Sequence, residues 1–215
     1  MNAEYLRPGR FVDSDHPLVA KFAAEHARGT DDRERAVSLY YAVRDAVRYN
    51  PFQNLLLDES YRGSVCLERG EGWCVPKAAL LAACARASGI PARVGFADVK
   101  NHLTSPRLTE RMGTDLFVFH GYTEFLLEGK WLKATPAFNL ELCTKFRVRP
   151  LEFDGRSDSI FHAFDQDERR HMEYVRERGA YADVPAEEIR RVFSQTYPKY
   201  YNLGPDAAKE TFAPA

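Results

Sequence analysis

Gly70-Glu71-Gly72-Trp73-Cys74-Val75-Pro76-Lys77, an alanine- and leucine-rich run to Ser88, and Gly89-Ile90-Pro91-Ala92-Arg93-Val94-Gly95-Phe96-Ala97 form the stretch that decides the fold. It reads as a turn, a cysteine at a helix N-terminus, an apolar helix and a buried strand. Pro76 is tolerated in the first helical turn, where the amide hydrogen it lacks has no partner, and Gly89 followed by Pro91 stops the helix. A thiol at that end meets unpaired N–H groups and the positive pole of the helix dipole. Both favour thiolate over thiol, which predicts a nucleophile at Cys74 active near neutral pH. The same N–H groups can hold an oxyanion.

From Ala78 to Ala87 the helix is apolar on nearly every side. Such a helix is buried, and a buried helix holds its first residue in one place, as a catalytic nucleophile requires. The residue type alone fits a second reading equally well, a small core side chain, because free cysteine is among the most buried residues.

The chain has 215 residues, enough for one domain with a sizeable core. With 30 basic and 31 acidic residues the net charge is -1, so nothing in bulk draws it to nucleic acid or an anionic membrane. Lys145, Arg147 and Arg149 read as a solvated face. The N-terminus lacks a signal-peptide core and no apolar run reaches bilayer length, which predicts a cytoplasmic protein without a membrane partner. Cys66, Cys74, Cys84 and Cys143, with no CxxC pair, suit neither a disulfide scaffold nor a zinc site and read as reduced thiols. Neither a cofactor nor a metal is expected, and the oligomeric state is not legible.

Along the chain, Ser14 and Asp15 before Pro17 predict a capped helix running towards Gly29. Asp31 with Glu34 predicts a capping box for a second helix ending at Asn50-Pro51. Residues 51–69 read as irregular. After the central helix, Ala92–Val99 and Leu116–Glu128 read as strands with a loop over 100–115, and Gly129-Lys130 turns the chain into a hairpin strand, Trp131–Thr135. Phe146–Phe153 reads as an edge strand, 165–178 and 185–196 as helices, and the end from Asn202 as loose. Helices followed by an antiparallel sheet define an α+β fold, with the Cys74 helix packed on the sheet. The expected organisation is a single domain over 1–215, with a core over about 30–150 and a helical extension over about 151–215.

A nucleophilic thiol needs a base, and histidine is the usual one. Of six histidines, His120 stands inside the long strand and is followed by Gly121, a residue that weakens a strand unless something must approach closely. His16, His26, His102, His162 and His171 lie on or near helices, in a loop or in the charged C-terminal part.

Taken together, Gly72-Trp73-Cys74-Val75-Pro76-Lys77, Gly89-Ile90-Pro91-Ala92-Arg93, His120-Gly121-Tyr122-Thr123-Glu124 and Trp131-Leu132-Lys133-Ala134-Thr135-Pro136 resemble the transglutaminase-like superfamily of cysteine enzymes. The resemblance spans roughly residues 70–139. It implies a papain-like core with a Cys, His and acidic triad in that order, Cys74 matching the nucleophile and His120 the base. The chain departs from the pattern at the third position, where Thr135 stands before Pro136 in place of Asp. A hydroxyl can accept a hydrogen bond from the imidazole and fix its tautomer, yet it brings no charge to stabilise imidazolium. Glu124, on the same face but about 13 Å from His120 along the strand, is too far. Asn139 is an alternative if the chain turns back. For the second oxyanion donor, Gln53 and the Trp73 indole are candidates; Glu68 and Arg69 occupy the region where papain-like enzymes place a glutamine.

The implied function is a cysteine-dependent acyl transfer: attack on an amide or peptide bond, a thioester on Cys74, and release to water or an amine, with hydrolysis preferred. The substrate would be a peptide, a protein or a small amide. The rival expectation is a peptide- or protein-binding module of the same fold that has lost catalysis, with Thr135 as the trace of that loss.

Overall fold

The computed structural model describes residues 2–101, 106–160 and 172–209. Its elements run α1 (Pro17–His26), α2 (Asp32–Ala46), β1 (Arg48–Tyr49), α3 (Gly63–Arg69), β2 (Glu71–Gly72), α4 (Cys74–Ala87), β3 (Ala92–Asn101), α5 (Pro106–Met112), β4 (Leu116–Leu127), β5 (Lys130–Ala134), α6 (Leu140–Phe146), β6 (Met172–Tyr181), α7 (Ala186–Thr196) and α8 (Pro198–Tyr201). The main sheet is antiparallel in the order β5-β4-β3-β6, and β1 pairs with β2 in parallel beside the start of α4.

The α4 helix is the centre of the core. Every residue from Cys74 to Arg86 is buried, so α1, α2 and α3 cover it on one side and β3 and β4 on the other. Its two charged residues are satisfied by main-chain carbonyls. Lys77 donates to the carbonyls of Arg44 and Val47 at the end of α2, and burial pulls its ammonium down to about 7. Arg86 donates to the carbonyls of Arg7, Ala92 and Ala182, tying the N-terminal segment, β3 and the chain after β6 to one helix. Gly89, at φ +80, ends α4 while Ile90 N–H returns to Ala85 C=O, the left-handed termination expected of that glycine.

Several expectations need correction. The N-cap of α1 is His16, whose Nδ1 accepts from Leu18 N–H, in place of Ser14 or Asp15. Asp31 caps α2 by accepting from Glu34 N–H, but the Glu34 carboxylate reaches Thr30 N–H, one residue short of a reciprocal box. The segment 51–69 contains a 3-10 turn (Asp58–Tyr61) and α3, and the presumed loop 100–115 contains α5. The β4–β5 turn is Glu128-Gly129, both at positive φ (50° and 80°), which matches the twist of the hairpin and starts β5 at Lys130.

Residues Leu140–Phe146 form a helix and 147–153 hold no more than an isolated bridge at Val148, so no edge strand forms over Phe146–Phe153. Where a helix over 165–178 is expected, Met172–Tyr181 is a strand against β3: its solvent-facing charges gave a helical pattern that pairing overrode. The part of that reading before 172 lies outside the described residues. The chain after Asn202 continues into a 3-10 turn, Gly204–Lys209.

Candidate active site

Cys74 is the first residue of α4, and no side chain caps the helix. The N–H groups of its first turn therefore face the cysteine. Main-chain N–H groups of Gly121, Val75 and Cys74 itself all favour the charged form of the thiol. The Gly121 N–H arrives from β4. A Cβ at Gly121 would lie 3.0 Å from Val75 Cα and 3.3 Å from Cys74 O, so only glycine lets the strand cross this close to the helix start. The sequence signal at Gly121 thus has a physical origin.

These donors do not win in the resting site. Burial pushes the Cys74 thiol up to about 11, against the expectation that the helix N-terminus would hold it as thiolate. The reason is desolvation: Cys74 is only 6% exposed, and a thiolate loses more by leaving water than three N–H groups return. All four cysteines are buried and free; Cys143 is also pushed to about 11, Cys66 to about 12, and Cys84 higher.

His120, also buried, lines the same cavity as Cys74. The backbone leading to it is bent. In β3 the register with β4 shifts between Ala97 and Val99, and Phe119 takes φ +54, a left-handed conformation that costs a side-chain-bearing residue about 1–2 kcal/mol. Asp98, in that shift and 4% exposed, holds the bend: its carboxylate accepts from Phe119 N–H at 3.0 Å and pairs with Arg178 at 2.5 Å, whose guanidinium lies over the Phe119 ring at 4.3 Å. No sequence signal marked Asp98.

Thr135 is buried, and its hydroxyl donates to Ile160 C=O while Tyr40 OH donates to its own carbonyl at 3.2 Å. Continuing the register one pair beyond Thr123↔Ala134 sets Thr135 opposite Tyr122, on the sheet face of His120 and a diagonal step from it. It is not part of the wall of the cavity that Cys74 and His120 share. A hydroxyl that donates to one carbonyl keeps its lone pairs as acceptors.

The other candidates are engaged elsewhere. Glu124 pairs with Arg93 at 2.6 Å. Asn139 Oδ1 accepts from Tyr49 N–H at 3.1 Å. The Trp73 indole donates to Ser60 C=O at 2.8 Å, which makes it a core aromatic and removes it as an oxyanion donor. Gln53 is buried and is not among the described residues that line the cavity. His16 caps α1 and His26 packs on Phe22 at 4.3 Å, while His102, His162 and His171 lie outside the described residues.

The cavity over Cys74 holds about 40 Å³, enough for no more than a few waters. Its cover comes from three places: Tyr49 of β1 with Pro51 and Leu55 after it, Leu108 and Met112 on α5, and Phe193, Tyr197 and Tyr200 on and beside α7 and α8. No cluster of His, Cys, Asp or Glu among the described residues has the arrangement of a metal site, and no helix among them is long and apolar enough to cross a membrane.

A buried helix that opens on a cysteine, laid across an antiparallel sheet whose neighbouring strand carries histidine, is the core of the papain-like cysteine enzymes. The chain belongs to the transglutaminase-like superfamily, whose sequence model matches residues 20–136. No curated protein matches the chain. Among solved structures it is similar to one described as "a putative cysteine protease from Cytophaga hutchinsonii", at 16% identity and a TM-score of 0.48, over 82% of this chain and 53% of that one. The chain thus spans about half the length of that protein.

Proposed function

We propose that the protein is a cysteine-dependent acyl-transfer enzyme that hydrolyses an amide or peptide bond through a thioester on Cys74, with His120 as the base. The observation that carries this reading is the close crossing at Gly121. It brings the strand of His120 onto the N-terminus of α4, so that thiol and imidazole line one cavity. A thiol held near 11 is protonated at neutral pH, so the nucleophile is made by proton transfer when substrate arrives. Sγ then bonds to the acyl carbon, the protonated imidazole gives its proton to the departing amine, and water repeats the sequence in reverse on the thioester. The Cys74 N–H is one oxyanion donor. Thr135, accepting from the imidazole, serves as the third member of the site in place of a carboxylate.

Four free buried thiols fit a reducing compartment, the cytoplasm, and β6 in the main sheet supports one domain over the whole chain. The second reading, a peptide- or protein-binding module, is favoured by Thr135 and by the narrowness of the cavity. The test is turnover of a panel of fluorogenic amides with intact-mass detection of a thioester in acid-quenched samples. Cys74→Ala should abolish both signals, and His120→Ala should lower kcat about 10²–10⁴-fold. Turnover that survives Cys74→Ala overturns the enzyme reading.

A further inference from the structure

We infer that the acyl group accepted at Cys74 is short, uncharged and apolar, and that the wall selecting it is built by α5, α7 and α8. This rests on the acyl-transfer reading of Cys74. Among the described residues, no Asp, Glu, Lys or Arg lines the cavity. Three of its aromatic walls spend their polar atoms on main chain: Trp73 donates to Ser60 C=O, Tyr200 OH to Pro51 C=O and Tyr197 OH to Leu116 C=O, while the same Tyr197 oxygen accepts from Val118 N–H. Apart from Tyr49 and His120 beside Cys74, a substrate atom in the cavity meets ring faces and methyl groups, and a charged group on the acyl chain finds no acidic or basic side chain of the described lining to replace water.

The size of the cavity sets the length. About 40 Å³ has room for a few non-hydrogen atoms beside Cys74, so a short acyl chain fits without moving the wall and a longer one must displace it. Of the selecting wall, Leu108 and Met112 lie within the 20–136 span matched by the superfamily, while Phe193, Tyr197 and Tyr200 lie beyond it. They are held firmly, with Phe193 packed on Trp73 at 5.6 Å and on Tyr197 at 5.1 Å.

The experiment compares two isosteric activated esters, p-nitrophenyl propanoate and p-nitrophenyl glycinate, whose acyl groups differ by a methyl against an ammonium. In each, the Sγ–acyl bond forms as the acyl–oxygen bond breaks, the thiol proton passes to His120, and nitrophenolate leaves with the bonding pair. Rates of thioester formation on Cys74, read by intact mass and normalised to 2-mercaptoethanol, should favour propanoyl over glycyl by at least about 100-fold. Phe193→Ala, or Met112→Ala if that variant fails to fold, should speed acylation by p-nitrophenyl hexanoate at least about tenfold relative to propanoate. Equal normalised rates for propanoyl and glycyl overturn the inference and leave the acyl-enzyme reading standing. Absence of a Cys74 thioester from both esters overturns the two together.

Discussion

The Gly121 main-chain N–H faces the Cys74 sulfur because the glycine has no side chain to hold β4 off α4. One missing methyl group thereby joins the helix that carries the thiol to the strand that carries the imidazole. Gly121→Ala puts a Cβ 3.0 Å from Val75 Cα, main chain that cannot step aside. The variant should lose about 1–3 kcal/mol in urea denaturation and alkylate more slowly at Cys74, since the strand moves out with its N–H. A variant as stable and as reactive as wild type would separate Gly121 from the site.

The thiols set the alkaline limit of stability. Each of the four has a folded-state pKa above its ordinary value, so the native chain keeps protons that the unfolded chain has lost. Their contribution is complete below about pH 8.5 and declines as pH rises towards 11, by about 1.4 kcal/mol per pH unit for each thiol. Lys77, lowered to about 7, acts with the opposite sign over the same range and offsets about one thiol. Urea denaturation under reducing conditions should show stability falling by several kcal/mol between pH 9 and 11. A flat profile would mean that the thiols are solvated.

Alkylation of Cys74 by iodoacetamide should keep rising with pH to about 11, roughly tenfold per unit, where an ordinary exposed thiol levels off near 8.5. A plateau at pH 6–7 would show a thiolate–imidazolium pair at rest. It would also restore the expectation drawn from the helix N-terminus alone.

At Thr135 the two obvious substitutions should both be costly, one in rate and the other in stability. Thr135→Val removes the donor to Ile160 C=O and, on the function proposed above, the acceptor for the imidazole, and should cost about 1 kcal/mol of transition-state stabilisation, several-fold in acylation rate. Thr135→Asp, which restores the superfamily's residue, sets a buried carboxylate against that same carbonyl and should destabilise the fold by about 1–3 kcal/mol. Recovery of wild-type stability with faster acylation in the Asp variant would show that the carbonyl can turn away.

Asp98 holds the bend at Phe119, the residue before His120. Asp98→Asn keeps an acceptor for Phe119 N–H and should stay folded, with its acylation pH profile unshifted. Asp98→Ala leaves the bend unheld and Arg178, 12% exposed, without its partner; it should cost about 3–5 kcal/mol and slow acylation more than the Asn variant does. Equal kinetics in the two variants would remove Asp98 from the positioning of His120.

By itself the sequence determined the parts whose causes are local. The run Cys74–Ala87 is apolar on nearly every side and so becomes a buried helix, Gly89 and Pro91 end it, the hairpin of β4 and β5 follows from a glycine turn, and a glycine beside His120 marks a close crossing. What tertiary structure alone decided depends on segments far apart in the chain. Met172–Tyr181 is a strand because β3 offers an edge, and the thiol is pushed up because α5, α7 and α8 close over it. Asp98 matters because a register shift turns it towards Phe119, and Thr135 spends its proton on Ile160 because that carbonyl arrives from 25 residues away. Burial and hydrogen-bond partnership are properties of neighbours in space, and a pKa follows them; a helix N-terminus read from sequence supplies the donors but not the loss of water that outweighs them.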